Sequence, residues 1–332
     1  MQFSYIDTFK KFLFQKTTVN ALKWLMVAFI LWYIVWKLNE ERQLGLRIYD
    51  ELAFLARRQN VFWLLIPTGM VFLNWSLEAV KWQMLAQKIE KLSFRNALAG
   101  VLVGQSLAFI TPQSLGDYAG RIWNIKNRQR AEAIGAVLLG RWAQSMITGM
   151  FGSLGLMFVL SRELALSKSA VIAIGASLLL FWGILVLALL NKRPGFILLL
   201  EKILGTKWVK YIEIIKAYHS AEILRIMIIT CVRYLIFSLQ FFIILKIFDF
   251  ELHPLISMAG ITWMFLMKSV LPAINIFTDL GVREMAVVYF FGYYQVDIAI
   301  IIVASVLLWI LNILLPTFIG LFYVYRLKIT ND

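Results

Sequence analysis

The sequence predicts an all-α polytopic membrane protein, and three observations carry that prediction. Hydrophobic residues make up 61% of the chain and charged residues 16%, against about 45–50% and about 25% in ordinary soluble domains. Apolar stretches of membrane-spanning length recur along all 332 residues, a span needing about 20 residues. Two further apolar stretches are each interrupted by a proline, Pro112 and Pro272.

Taken in order, the first expected span is Ala21–Leu38. Lys10, Lys11 and Lys16 precede it and no small-residue cleavage pattern follows it, so it reads as an uncleaved span rather than a signal peptide. Residues 37–60 read as a charged connecting loop. Val61–Trp82 is the second span. Ser93–Ile110 breaks at Thr111–Pro112 and continues to Trp123. Ala133–Leu160, Ala170–Leu190 and Ile223–Leu245 are the next three spans. Pro254–Leu271 breaks at Pro272 and continues to Tyr294, and Asp297–Tyr325 closes the set. Proline lacks the backbone donor and clashes with the preceding turn, so each broken stretch should be two helices.

The Lys and Arg distribution favours a re-entrant reading of both broken stretches. If Ser93–Ile110 crossed straight through, the basic 192–216 stretch would lie outside. If it enters from the cytoplasm and turns back at Thr111–Pro112, the 81–95, 121–130 and 191–216 loops and both termini face the cytoplasm. That is the positive-inside arrangement. Residues 37–60 resist it, because they carry Lys37, Arg42, Arg47, Arg57 and Arg58 on the outer side. The expected architecture is therefore an inverted repeat of span, span, re-entrant hairpin, span: about six full spans plus two re-entrant helical hairpins. The first repeat covers 1–165 and the second 166–332, joined by a cytoplasmic amphipathic connector at 194–216. Leu98-Ala99-Gly100 and Met258-Ala259-Gly260 stand equally far before the two prolines. Gly116 then Arg121, and Gly281 then Arg283, follow them.

Charges at membrane depth mark candidate sites, since each is costly in lipid and normally faces a protein interior or wet cavity. Asn74, Glu78 and Lys81 share one helix face, and Arg141, Gln144, Ser145 and Thr148 another. Arg233 lies about 15 Å into its span. Asp117 and Arg121 belong to the first hairpin. Lys268, Asp279, Arg283 and Glu284 belong to the second. Lys81, Arg225 and Lys246 read as snorkelling interface residues. A helix starting at Pro112 with Thr111 as its cap would present bare amides to an anionic group, helped by Gln113 and Ser114. Pro272, Asn275 and Thr278 would do the same in the second hairpin. The arginines would hold phosphate while the carboxylates balance charge. The competing reading makes these charges buried ion pairs that fix helix register.

Several classes are disfavoured. The formal net charge of +14 comes from Lys and Arg scattered between spans, which speaks against nucleic acid. Cys231 is a lone cysteine and His219 and His253 are far apart, so no metal or other cofactor is expected. No hydrolase, metalloprotease or P-loop motif is present, and no enzymatic activity is expected.

Asn74-Trp75…Glu78…Lys81-Trp82, Thr111-Pro112-x-x-x-Gly116-Asp117-x-x-Gly120-Arg121, and Leu271-Pro272 with Gly281-Val282-Arg283-Glu284 together resemble the lysylphosphatidylglycerol synthase transmembrane-region family, also described as flippase-like. The resemblance covers nearly the whole chain. It implies a lipid-handling membrane domain like that of the multiple peptide resistance factors, which moves aminoacylated phosphatidylglycerol between leaflets. It carries Pro112, Gly116, Arg121, Pro272, Gly281, Arg283 and Glu284 over as site residues. With the sequence ending at Asp332, the C-terminal synthase domain and its aminoacyl-tRNA-dependent reaction are expected to be absent. After Pro272, Ala273-Ile274-Asn275-Ile276-Phe277 is bulkier than the family's small-residue turn.

The expected function is binding and translocation of an anionic or aminoacylated phospholipid, or a lipid-linked headgroup, in a multi-pass protein of the cell (inner) membrane. A secondary transporter of small anionic or organic solutes, and a non-transporting lipid-binding subunit, are the alternatives. A second copy of the chain and a separate lipid-modifying enzyme are the protein partners left open.

Overall fold

The computed structural model describes residues 44–111, 114–123, 125, 130–191, 209–271 and 276–329. Among them every regular element is helical: α1 (Leu44–Leu55), α2 (Arg58–Trp63), α3 (Leu65–Ala86), α4 (Phe94–Ile110), α5 (Gly116–Trp123), α6 (Arg130–Glu163), α7 (Lys168–Asn191), α8 (Val209–Lys216), α9 (Ser220–Ile247), α10 (Pro254–Val270), α11 (Ile276–Gly292), α12 (Ile298–Trp309), a π turn (Ile310–Leu314) and α13 (Leu315–Ile329). Five of these helical runs are long and apolar enough to cross a membrane, and they match the second to sixth expected spans. The expected first span, Ala21–Leu38, and connector residues 194–208 lie outside the described residues.

Local chemistry accounts for the boundaries. Ser93 caps α4 through the amide of Asn96 at 3.3 Å, and Asp297 caps α12 through that of Ala299 at 2.8 Å. His219 and Glu222 form a reciprocal box at the start of α9. Pro254 occupies the first position of α10 behind His253. Helix α2 ends at Trp63, four residues before Pro67, whose ring and missing N–H exclude the regular hydrogen bond back to that residue. Pro316 explains the π turn in the same way, because the wider loop absorbs its missing donor.

The expectation of a loop over 37–60 is corrected over its described part, which folds into α1 and α2. Ile48, Phe54 and Leu55 of this stretch pack inward while Arg47 and Asp50 are exposed, so α1 is amphipathic, and the density of charge concealed its period.

Both proline-broken stretches fold back on themselves. In the first, Gly100 faces Gly120 and Arg121 while Gly104 faces Asp117. In the second, Gly260 meets Phe290 and Phe291, the Trp263 indole donates to the Ala286 carbonyl at 3.1 Å, and Lys268 meets Asp279 at 3.2 Å. Partner numbers fall as the first helix advances, so each pair is an antiparallel helical hairpin. Glycine is decisive at one crossing: a Cβ on Gly120 would collide with the backbone N and Cα of Gly104. No other residue lets α4 and α5 approach so closely.

Two apolar clusters hold the hairpins in place. One joins α3, α4, α6 and α9 around Trp82, Leu85, Leu139 and Tyr218. The other joins α9 to α12 around Phe241, Met264, Phe290, Phe291 and Ala299. Helix α7 packs on α6, where Trp182 covers Gly149, but exposes Ile172, Leu180 and Leu187 to the surroundings. A helix that is apolar all round and exposed on most of its face belongs against lipid.

A cationic cavity between the two hairpins

The fold brings polar side chains from α3, α5, α6, α9, α10, α11 and the π turn to one cavity of about 530 Å³. Its organising residue is Glu78 of α3, 4% exposed. One oxygen takes Arg121 of α5 at 2.8 Å. The other takes Lys81 at 2.7 Å and the guanidinium of Arg233 from α9. Arg233 also donates through Nε to the Asn74 side-chain oxygen at 2.7 Å. Glu78 and Lys81 meet because i and i+3 lie on one helix face; Arg121 and Arg233 arrive only through tertiary packing.

Asp117 extends the network. Its Oδ1 accepts from Arg121 Nε at 2.7 Å, and its Oδ2 accepts from Arg141 Nη2 at 2.9 Å. Arg141 Nη2 reaches the Ser114 carbonyl as well, at 3.2 Å. That contact helps fix Ser114, whose φ of 55° lies in the left-handed region. On the opposite wall Asp279 is flanked by Lys268 at 3.2 Å and Arg283 at 3.2 Å.

The two hairpins repeat one device. Each second helix carries an aspartate in its first turn and an arginine four residues on: Asp117 and Arg121, Asp279 and Arg283. The glycine-anchored comparison of the sequence aligned Gly116 with Gly281 and so passed over this pair.

Of the residues marked from sequence, Glu78, Asp117, Arg121, Arg141 and Arg233 line the cavity from the first side. Thr111, Ser114, Asp279 and Arg283 complete the set. Gly116 is buried against Leu107 in the hairpin crossing, a packing position. Gly281 and Glu284 are buried away from the cavity wall. Both Glu284 oxygens lack a hydrogen-bond partner among the described residues, so it does not join the Lys268–Asp279–Arg283 group as its place in the sequence implied. Pro112, Pro272 and Asn275 lie outside the described residues.

Two expectations are corrected. Helix α5 begins at Gly116 rather than Pro112, whereas the described part of α11 starts at Ile276 and Pro272 lies outside the described residues. Thr111 does cap, but its hydroxyl oxygen accepts from the amide of Gly116 at 2.7 Å while the hydroxyl donates to Leu107 O at 2.8 Å. The positive helix ends are met by their own Asp117 and Asp279 rather than left bare. Lys81 does not snorkel: at 2% exposure it is buried against Glu78.

Residues the sequence did not single out also line the cavity. Asn312 sits in the π turn and donates to Gln240 at 2.9 Å, which in turn donates to the Pro67 carbonyl at 2.8 Å. A polar residue four before a proline in an apolar span is the signal that could have found it. Among the described residues no group of three or more His, Cys, Asp or Glu side chains is arranged to hold a metal.

A family model described as Lysylphosphatidylglycerol synthase TM region matches residues 20–320. The chain belongs to that family. Neither the curated proteins nor the solved structures compared with it returned a match. Membership in the lysylphosphatidylglycerol synthase transmembrane-region family agrees with the motifs around Glu78, Asp117–Arg121 and Arg283, which converge on this one cavity.

Proposed function

We propose that this family member binds the headgroup of an anionic or aminoacylated phospholipid, or another lipid-linked anion, in the cavity and moves it between leaflets. One observation carries the reading. Among the described residues, six cationic side chains (Lys81, Arg121, Arg141, Arg233, Lys268, Arg283) and three carboxylates (Glu78, Asp117, Asp279) line the cavity. The surplus of three positive charges, held away from bulk water, needs an anion.

A lipid suits the remaining wall, where Trp75, Phe109, Phe237, Phe265 and Trp309 stand beside the charges. They can cover the glycerol and first carbons while the chains stay in the bilayer. The hairpins would enter from opposite faces with both termini cytoplasmic, as the positive-inside bias requires. Rocking of one repeat against the other would expose the cavity alternately. The chain would be a multi-pass protein of the cell membrane.

The test is translocation in proteoliposomes loaded with acyl-labelled fluorescent phosphatidylglycerol and challenged with an impermeant quencher. Protein-dependent loss of the protected fraction is expected, slowed in Arg141→Ala and Lys268→Ala, whose side chains are partly exposed to the cavity. Label retained in its leaflet at the protein-free rate would sink the reading.

A further inference from the structure

We infer that the cavity takes a phosphate-bearing headgroup without an ammonium group and rejects zwitterionic and aminoacylated ones. This rests on the reading that the cavity holds a headgroup, and it narrows the class. An ammonium needs an acceptor, by preference a carboxylate. Among the described residues, every carboxylate on the wall already carries at least two cations: Glu78 has Lys81, Arg121 and Arg233; Asp117 has Arg121 and Arg141; Asp279 has Lys268 and Arg283.

The unsatisfied atoms point the same way. Among the described residues, the buried partnerless atoms on the wall include the donors Arg141 Nε, Trp75 Nε1 and Trp309 Nε1. The Tyr234 hydroxyl can act in either sense. Against them stand two pure acceptors, the neutral Asn312 Oδ1 and Glu78 Oε2, and the latter already faces the Lys81 ammonium and the Arg233 guanidinium. Glu284 has two unpartnered oxygens but is not on the wall. Residues 112–113 and 272–275, outside the described residues, include no Asp or Glu in the sequence.

A phosphate oxygen therefore meets spare charged and neutral donors, whereas an ammonium meets three surplus cations, one amide oxygen and a carboxylate oxygen that two cations already hold. Like charges brought together in a poorly solvated site are strongly disfavoured. Of the aromatic faces on the wall, Phe237 already carries Arg233, and a cation–π contact on another does not replace a free carboxylate.

The experiment titrates the purified full chain with short-chain phosphatidylglycerol, phosphatidic acid, phosphatidylethanolamine and lysyl-phosphatidylglycerol, reading Kd and thermal shift. Glycerol 3-phosphate and inorganic phosphate are run beside them. Phosphatidylglycerol and phosphatidic acid are expected to bind at least about tenfold tighter than the two ammonium lipids. If free glycerol 3-phosphate binds as tightly as the lipids, the headgroup chemistry stands and the source is a soluble phosphate. Equal affinity for lysyl-phosphatidylglycerol, or no binding by any phosphate ligand, overturns the inference. Lys268→Glu should move the preference toward lysyl-phosphatidylglycerol. Lys268→Gln should narrow it, and serves if the reversal misfolds. Selectivity without translocation would sink the transport reading alone; translocation without selectivity would sink only this one.

Discussion

Replacing Glu78 by glutamine keeps the shape of the side chain and removes the charge that holds Lys81, Arg121 and Arg233 together. All four side chains are 9% exposed or less, so the three cations cannot recover their loss by turning to water. Arg121 retains Asp117 and Arg233 retains Asn74, but among the described residues Lys81 has no other carboxylate within ion-pair distance. Breaking a buried ion pair from one side costs about 3–5 kcal/mol. At about 2–4 °C per kcal/mol for chains of a few hundred residues, the melting temperature should fall by about 6–20 °C. Thermal unfolding of the detergent-solubilised protein, followed by tryptophan fluorescence, measures it. Glu78→Gln with Lys81→Met in the same chain should recover part of the fall, because the stranded ammonium is gone. A drop of less than about 2 °C, or additive effects of the two changes, would refute Glu78 as the hub.

Gly120→Ala should destabilise by about 1–3 kcal/mol or more, because its Cβ meets the backbone of Gly104. Gly183→Ala, in a helix and with nothing within 4 Å of the new Cβ, should leave the melting temperature unchanged or raise it. Tyr218→Phe removes the hydroxyl that donates to the Leu85 carbonyl near the end of α3. A loss of about 1–3 kcal/mol is expected from that orphaned acceptor, read as a lower melting temperature. Glu284→Met replaces a buried carboxylate with no partner among the described residues, and should raise the melting temperature at pH 8.

Helix positions were legible in the sequence because span length and proline breaks are local properties. Every described expected span reappears within a few residues, as at Ile223–Leu245 against Ser220–Ile247. The charged pairs at i, i+3 and i, i+4 were legible too. Their meeting across elements was not, since nothing in the local pattern around Arg233 indicates that it reaches Glu78 from 155 positions away. Lys81 was misread for the same reason: a lysine near a span end normally reaches for the interface, and only the arrival of Glu78's other partners shows why it stays inside. In the first hairpin, the proline located the break but not the start of the helix that follows it. Residues after a proline can remain in a turn, as Ser114 does with its positive φ.

The two hairpins use the same aspartate–arginine pair to different ends. Arg121 is consumed by the protein, with Nε on Asp117 and Nη2 on Glu78. Arg283 has Asp279 as its one ion-pair partner among the described residues, through Nε, and it lines the cavity. Lysine keeps the charge but loses the fork of donors, so it separates the two roles. Arg121→Lys should lower the melting temperature, because one ammonium cannot bridge two carboxylates held by two different nitrogens. Arg283→Lys should leave the melting temperature within about 2 °C and weaken phosphatidylglycerol binding about tenfold, since a bidentate hold on phosphate becomes a single point contact. Headgroup binding would then be concentrated in the second hairpin, with the first acting as its fixed wall. Equal stability losses in the two variants, or unchanged affinity in Arg283→Lys, would show that the hairpins share one structural role.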